Sequence, residues 1–429
     1  MSSLILADTT FESLIQDFPA DICRLATENG AFTRSRAVET PVDLLRGVLL
    51  YGGLDYSLRE VAGNFTQFGR RISDEAVRKR LCGCEGWLRA MLTEMFQVSG
   101  FQVSGKEIEG TGLSRVILID GTTIQAPGAT TSDYRVHLGW EWLDQKIIHS
   151  LVTDNRTAES LKLFEWQPGD VVIADAAYAT AKQLAVVREK GAEYIVRCAA
   201  ANIRLFSEDG SRINVAEELK NQEGKAVFSM KVIIPSETTS QTAWLHAFRL
   251  PPEATRQAHA RLRKRSCKRG TKTKSETIYL AGWTLLLTSL DPERIPVETI
   301  AKLYRSRWQI EIVIKRLKSI LNLDALRAKR GSSLAQVYLL AKIIYALMIE
   351  RRAHLVVGDR TIEWRLWKII AEQFRHRITM ASYQRNEIRP DVLKVLKERP
   401  RKRPRLIDKI SAALHILTGK PMNVNYLTP

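Results

Sequence analysis

The sequence predicts a mixed α/β catalytic domain that carries a β-rich insertion and is flanked by helical regions at both ends. Three observations lead to this prediction. Residues 1 to about 105 show helical periodicity with helix-capping motifs, short β-rich apolar runs begin at residue 114, and the chain becomes helical again from Val297. Strands that alternate with helices are typical of a sheet whose faces are covered by helices.

The length of 429 residues exceeds what one ordinary core accommodates, so several domains are expected. Changes in periodicity divide the chain into five segments. They are a helical N-terminal domain at 1–105, the first part of the catalytic domain at 106–199, the β-rich insertion at 200–290, the helical second part of the catalytic domain at 291–350, and a helical C-terminal region at 351–429.

Capping motifs mark the N-terminal helices. Thr40 and Pro41 form an N-cap and N1 pair that predicts a helix over 42–51, and 57–60 is a capping box. Another helix is expected from Ser73, with acidic residues at its start and three consecutive basic residues behind them. Two short helices followed by a basic one are typical of a helix-turn-helix DNA-binding domain, and a solvated basic helix face is an equally good interpretation.

Short apolar runs predict the strands of the central sheet. They are expected at 114–120, 135–138, 146–153, 170–175 and 193–197, with helices at 158–164 and 180–190. This order predicts a mixed sheet in which later strands are joined through helices.

The insertion is expected to contain strands at 227–235, 242–250 and 277–287, with no helix between them. Inside it lies the basic segment 256–274, which has nine Lys or Arg residues and no acid, and which we expect to be a loop or mobile arm. A second basic cluster, 399–405, precedes a final short helix.

The charge balance indicates a polyanionic partner. The chain has 65 Lys and Arg against 47 Asp and Glu, a net charge of +18. Nucleic acid is the commonest such partner because binding releases condensed counterions. A ribosome-associated or membrane-surface protein would have a similar charge. Five cysteines without zinc-site spacing, no signal peptide and no uninterrupted apolar run of membrane-spanning length predict a protein of the reducing cytoplasm.

Two aspartates each end an apolar strand. Asp120 and Asp175 are followed by small or turn-forming residues, so each carboxylate is rigidly placed and accessible to solvent. A single acid at a strand end is more often a cap or turn residue. Two such strands side by side would place carboxylate oxygens around one hard cation.

The segment 303–318 has a more specific pattern. If it forms one helix, five polar residues spaced by 3, 4, 4 and 3 share one stripe. They are Tyr304, Arg307, Glu311, Lys315 and Lys318. Such a stripe would place one candidate metal ligand, Glu311, between side chains that can donate hydrogen bonds to phosphates. The alternative interpretation is a surface helix with a Glu311–Lys315 ion pair.

Tyr304, Arg307, Glu311 and Lys318 stand at the spacing of the Y-R-E-K signature of bacterial insertion-sequence transposases of the insertion sequence four group. The chain resembles these DDE transposases over about residues 40 to 350. The resemblance implies a ribonuclease H-like catalytic domain.

In this comparison Asp120 and Asp175 look like the first two acids of the group, and Glu311 looks like the third. Many members have Arg directly after the second acid, where this chain has Ala176. The resemblance implies that Asp120 bridges two Mg²⁺ or Mn²⁺ ions and that the other two acids hold one each. Water would nick the transposon end, and the freed 3′-hydroxyl would then attack target DNA without a covalent protein–DNA intermediate.

The resemblance also implies DNA-contacting residues. Tyr304, Arg307, Lys315 and Lys318 would position phosphates. Trp283, which lies 21 residues before Tyr304, would stack on a nucleotide flipped during hairpin formation. A core Trp on a strand is the equal alternative for Trp283.

The expected partners are double-stranded DNA, namely transposon terminal inverted repeats and target DNA, and a second copy of the chain in the DNA complex. The expected location is the bacterial cytoplasm, on the nucleoid when bound to DNA, with no membrane association. A domesticated, non-catalytic DNA-binding protein and a ribonuclease H-like nuclease remain as alternatives. A metal-free hydrolase is disfavoured because no His lies near the strand-end acids in sequence.

Overall fold

A computed structural model of the chain describes residues 10–16, 18–67, 70–100, 113–199, 202–222, 224–236, 240–358 and 364–379. The basic cluster 399–405 and the short helix expected after it lie outside the described residues.

The described residues contain fourteen α-helices and eight strands. The helices are α1 (Phe11–Ile15), α2 (Ile22–Glu28), α3 (Pro41–Val48), α4 (Leu58–Gln67), α5 (Asp74–Cys82), α6 (Glu85–Gly100), α7 (Ala181–Glu189), α8 (Val215–Asn221), α9 (Pro252–Arg269), α10 (Ser275–Leu280), α11 (Val297–Arg305), α12 (Trp308–Leu321), α13 (Ser333–Val357) and α14 (Trp364–Thr379). The strands are β1 (Arg115–Ile124), β2 (Tyr134–Glu141), β3 (Lys146–Asp154), β4 (Asp170–Ala174), β5 (Glu193–Arg197), β6 (Val227–Ile234), β7 (Gln241–Arg249) and β8 (Trp283–Thr288).

The chain forms two compact units that do not follow sequence order. The helical unit comprises Met1–Phe101, Thr123–Tyr134 and Lys315–Pro429, and the sheet unit comprises Gln102–Thr122 and Arg135–Ile314. The described residues of the helical unit thus come from several separate segments of the chain.

The sheet has the order β3-β2-β1-β4-β5-β8-β7-β6. β1, β4 and β5 are parallel neighbours, whereas β8, β7 and β6 continue the sheet in antiparallel fashion. The three insertion strands therefore extend the central sheet. The mixed α/β fold expected from the sequence is confirmed.

The core of the sheet unit lies on both faces of the central strands. Every residue of β4 is buried, as are the first five residues of β1. Strands buried on both faces need continuous apolar runs, which explains why both were visible in the sequence. Ile117, Val172 and Tyr194 belong to one buried cluster with residues of β7 and β8.

The insertion contains helices that the sequence analysis did not predict. The segment expected to be a loop or arm forms most of α9, and the start of the strand expected at 277–287 is the helix α10. α9 starts with proline at N1 or N2 and ends at Gly270 in the left-handed conformation. Its residues have good intrinsic helix propensity, but α9 buries none of them, so the helix leaves no apolar period in the sequence.

Two other local expectations were wrong in part. The helix expected at 158–164 is only a 3₁₀ turn, Leu161–Leu163. The helix expected at 42–51 is α-helical to Val48 and then becomes π-helical over Leu49–Gly53. At Gly52 an added Cβ would lie 2.5 Å from the Cβ of Ala341 on α13, so this turn needs glycine for the close approach of two helices.

The helical unit is built around α13. This helix is long and apolar enough to span a membrane by length and composition, and it is the one such helix among the described residues. Most of its length is buried inside the protein, and Lys342 within it is 1% exposed. The Nζ of Lys342 contacts Asp55 Oδ1 and the Leu321 carbonyl, both at 2.5 Å, so the buried cation has acceptors. The apolar segment 334–349, which Lys342 interrupts, is therefore part of a buried helix.

Candidate active site

The two strand-end aspartates lie at one edge of the sheet. β1 and β4 are adjacent and parallel with Leu118 opposite Ile173, so continuing this register sets Asp120 opposite Asp175. The Gly121 amide donates to Asp120 Oδ1 at 2.8 Å, and the Ala177 amide donates to Asp175 Oδ1 at 2.8 Å. These short-range bonds fix the direction of both carboxylates.

Burial raises the pKa of Asp120, and the negative charges of Asp175 and Glu311 raise it further. The Gly121 amide and the cation of Arg307 act in the opposite direction. Asp120 thus stands in a cluster of three mutually repelling carboxylates, which is the electrostatic condition for binding a cation.

Arg307 links the third acid to this cluster. Its guanidinium donates to Glu311 Oε1, and its Nη1 lies 3.9 Å from Asp120 Oδ2. Burial is the main factor that raises the pKa of the half-buried Tyr304; the cations of Arg307 and Arg197 lower this pKa, and the negative charge of Asp175 raises it by a smaller amount. The sequence-predicted residues Asp120, Asp175, Tyr304, Arg307 and Glu311 are therefore gathered in the sheet unit.

The expectation of one continuous polar helix stripe was wrong. α11 ends at Arg305 and α12 begins at Trp308, with a turn at Ser306 and Arg307 between them. The Ser306 hydroxyl donates to the Leu303 carbonyl, which closes the end of α11. The ion-pair partner of Glu311 is Arg307, four residues before it, and not Lys315 as in the alternative interpretation of a surface helix.

The lysines of the signature lie further along α12. Lys315 is exposed and Lys318 is half-buried, and both belong to the part of α12 in the helical unit.

Trp283 is the first residue of β8. β8 runs antiparallel to β5, so β8 starts at the edge of the sheet where β4 and β5 end. Asp175, which directly follows β4, lies at the same edge. The Trp283 side chain is nevertheless only 6% exposed and belongs to the buried cluster. Its ring centroid lies 6.5 Å from that of Tyr279 and 5.9 Å from the Arg249 guanidinium carbon. In this conformation Trp283 packs as a core residue.

The donor chemistry of the site fits a hard divalent cation. Its ligand candidates are carboxylate oxygens, which Mg²⁺ and Mn²⁺ prefer. In the side-chain conformations of this structure, no three Asp, Glu, His or Cys residues among the described parts of the chain are close enough together to hold one metal ion. Instead, the guanidinium of Arg307 lies beside Asp120 and Glu311 as their shared positive charge.

Several neighbours of the site were not predicted from the sequence. Glu159 precedes the 3₁₀ turn and lies beside Gly121, and Arg135 on β2 lies beside Glu159. The Tyr178 hydroxyl is buried near the same carboxylates. Trp308 is 60% exposed directly after Arg307. Glu159 reaches the site from a distant part of the chain, and no sequence spacing connects it with Gly121.

Residues 111–347 match a family model described as "Transposase DDE domain". The chain is 33% identical over 341 residues to the transposase for insertion sequence element IS421 of Escherichia coli, covering 77% of this chain and 90% of the relative. It is 25% identical over 271 residues to the transposase for insertion sequence element IS231F of Bacillus thuringiensis subsp. israelensis, covering 54% of each chain. The carboxylates described above all lie within the matched segment, and the chain belongs to the family of transposases with a DDE domain.

Proposed function

We propose that this transposase cleaves DNA at transposon ends and joins the freed 3′-hydroxyl to target DNA, using Asp120, Asp175 and Glu311 to hold two Mg²⁺ or Mn²⁺ ions. The observation that carries the proposal is that Arg307 lies beside both Asp120 and Glu311, while Asp175 follows the strand next to that of Asp120 at the same edge of the sheet. Asp120 is central because it faces both the adjacent strand end and Arg307.

The bound ions would supply Lewis-acid stabilisation of the attacking and leaving oxygens in an in-line displacement. The protein residues provide the positions. Asp120 and Asp175 are fixed by backbone amides, and Glu311 is aimed by Arg307. With cations bound to the carboxylates, the Arg307 guanidinium would be free to donate hydrogen bonds to a DNA phosphate. Tyr304, Lys315 and Lys318 extend that phosphate-binding role.

A ribonuclease H-like fold is part of the proposal for the catalytic domain. The order β3-β2-β1-β4-β5, with β1, β4 and β5 parallel and the first two acids on β1 and after β4, supports it. In this fold the insertion would extend the sheet beyond β5 and return the chain to Glu311.

The DNA partner is supported by the charge of the sheet unit's surface as well as by the family. α9 carries seven Arg or Lys residues against one Glu, and its basic side chains are exposed. Such a surface neutralises phosphates without reading bases. We propose that transposon-end and target DNA are the partners, that a homodimer forms on DNA, and that the protein acts in the bacterial cytoplasm on the nucleoid.

The test is strand cleavage of a labelled transposon-end duplex in Mg²⁺. Asp120→Asn, Asp175→Asn and Glu311→Gln are each expected to abolish nicking, because a metal ligand loses its charge. Binding of the duplex in a gel-shift assay should persist, since affinity comes mainly from phosphate contacts. Asp209→Asn, at an exposed loop of the sheet unit, is the matched control and should nick normally.

Nicking near the wild-type rate by any of the three variants would remove that residue from the metal site. A wild-type protein that binds end DNA but cuts it with neither Mg²⁺ nor Mn²⁺ would instead favour a non-catalytic DNA-binding role.

A further inference from the structure

Glu159 reaches the catalytic edge of the sheet from a separate part of the chain. It lies between β3 and the 3₁₀ turn, and its Oε1 is 2.8 Å from the position that a Cβ would occupy on Gly121. Gly121 directly follows Asp120. A side chain at 121 would therefore displace Glu159, and glycine allows this carboxylate to lie against the backbone of β1.

The charges around Glu159 are those of the catalytic cluster. Burial is the main factor that raises its pKa, and Asp175 and Asp120 raise it as well, while Arg135 lowers it. The Nε of Arg135 is 3.7 Å from Glu159 Oε1, beyond hydrogen-bond distance. A group placed only for this ion pair would be expected to approach the guanidinium more closely.

A second observation points to a ligand at this place. Tyr178 has an exposed fraction of 0%, and its hydroxyl has no hydrogen-bond partner among the described residues. Burial is the main factor that raises the pKa of this hydroxyl, and the negative charges of Glu159, Asp120 and Asp175 raise it further. A buried hydroxyl without a partner is costly, so this one is expected to bond to a group bound between the carboxylates.

We propose that Glu159 is a fourth carboxylate of the metal centre and that, with Tyr178, it holds the hydration shell of a divalent cation bound by Asp120 and Asp175. The proposal rests on the metal-dependent function proposed above. Mg²⁺ retains several waters in protein sites, and these waters need acceptors of fixed position. The half-buried Glu159 carboxylate beside Gly121 can accept hydrogen bonds from such waters. The Tyr178 hydroxyl can both donate hydrogen bonds to them and accept hydrogen bonds from them.

The test measures Mn²⁺ binding to the purified full chain without DNA, by isothermal titration and by the electron paramagnetic resonance signal of free Mn²⁺. Glu159→Gln keeps the side-chain shape and removes the charge. Loss of an outer-shell partner of a metal site typically weakens metal affinity by about 10–100-fold, and we expect a change of that order. Tyr178→Phe should weaken Mn²⁺ binding in the same direction. Glu165→Gln, an exposed residue nearby in the chain, is the matched control and should bind as wild type does.

Arg135→Gln separates this role from a structural ion pair. If Glu159 serves only Arg135, then Glu159→Gln and Arg135→Gln should lower the melting temperature equally and leave the Mn²⁺ affinity unchanged, which would overturn the inference. Asp120→Asn separates the inference from the proposed function. If Asp120→Asn loses Mn²⁺ binding and a folded Glu159→Gln variant keeps it, the inference about Glu159 is refuted and the proposed metal site is retained. Binding unaffected by either variant refutes the metal site itself.

Discussion

Replacing Trp283 by Ala tests whether this residue stabilises the sheet unit or stacks on DNA. The two roles predict different results, and the structure gives the size of the structural effect. Trp283 is 6% exposed and packs on Tyr279 and on the guanidinium of Arg249. Its main chain begins β8, opposite Arg249 on β7.

Truncation of a buried Trp to Ala costs about 3–5 kcal/mol, because the transfer energy is lost and a cavity remains. In a unit of this size, each kcal/mol lowers the melting temperature by about 2–4 °C. We therefore expect Trp283→Ala to unfold the sheet unit on the order of 10 °C earlier than wild type. This differs from the near-constant melting temperature expected of an exposed stacking residue.

The assay is thermal unfolding combined with a gel that separates nicked DNA from hairpin product. Trp308→Ala is the matched control, because Trp308 is 60% exposed and its truncation should leave the melting temperature almost unchanged. Trp283→Phe retains an apolar ring and should recover most of the stability. If Trp283 also stacks on DNA after a rearrangement, Trp283→Phe should nick normally and form hairpins slowly.

A melting temperature of Trp283→Ala within about 2 °C of wild type would refute the reasoning from burial. Equal loss of nicking and hairpin formation in the stable Trp283→Phe variant would remove Trp283 from the hairpin step.

Two further predictions concern surface charge and buried histidines. Replacing four exposed Arg and Lys residues of α9 by Gln should weaken binding equally for all DNA sequences. It should also reduce the magnitude of the slope of log K against log salt by about 0.9 for each phosphate that is no longer neutralised. Gel shifts at several salt concentrations measure both effects, and a weakening confined to one DNA sequence would indicate base readout instead. Burial lowers the pKa of His137, His149 and His246 from 6.5 to about 4. Because the folded pKa lies below the unfolded one, the sheet unit should be fully stabilised above pH 6.5 and should lose stability as the pH falls towards 4; urea unfolding across this range should show the decrease, and His246→Gln should reduce its slope.

The sequence alone determined the central strands and the helix caps. β5 occurs at the expected residues 193–197, because its three central residues, 194–196, form a short run of buried side chains that is visible in the sequence. The predicted N-cap at Thr40 and capping box at Ser57 are likewise present, since capping depends on residues only a few positions apart. The acids Asp120, Asp175 and Glu311 were also named from the sequence, because strand ends and a four-residue signature are local patterns.

Only the tertiary structure decided features that depend on distant parts of the chain. α9 was missed because a helix that buries nothing has no apolar period. The break at Arg307 was missed because both sides of the turn keep a spacing compatible with one helix. Glu159 acquires its place from a crossing between the end of β3 and Gly121 on β1, where a missing Cβ lets a carboxylate approach. This approach joins residues 38 positions apart through packing, and packing of that kind has no period or motif in the sequence.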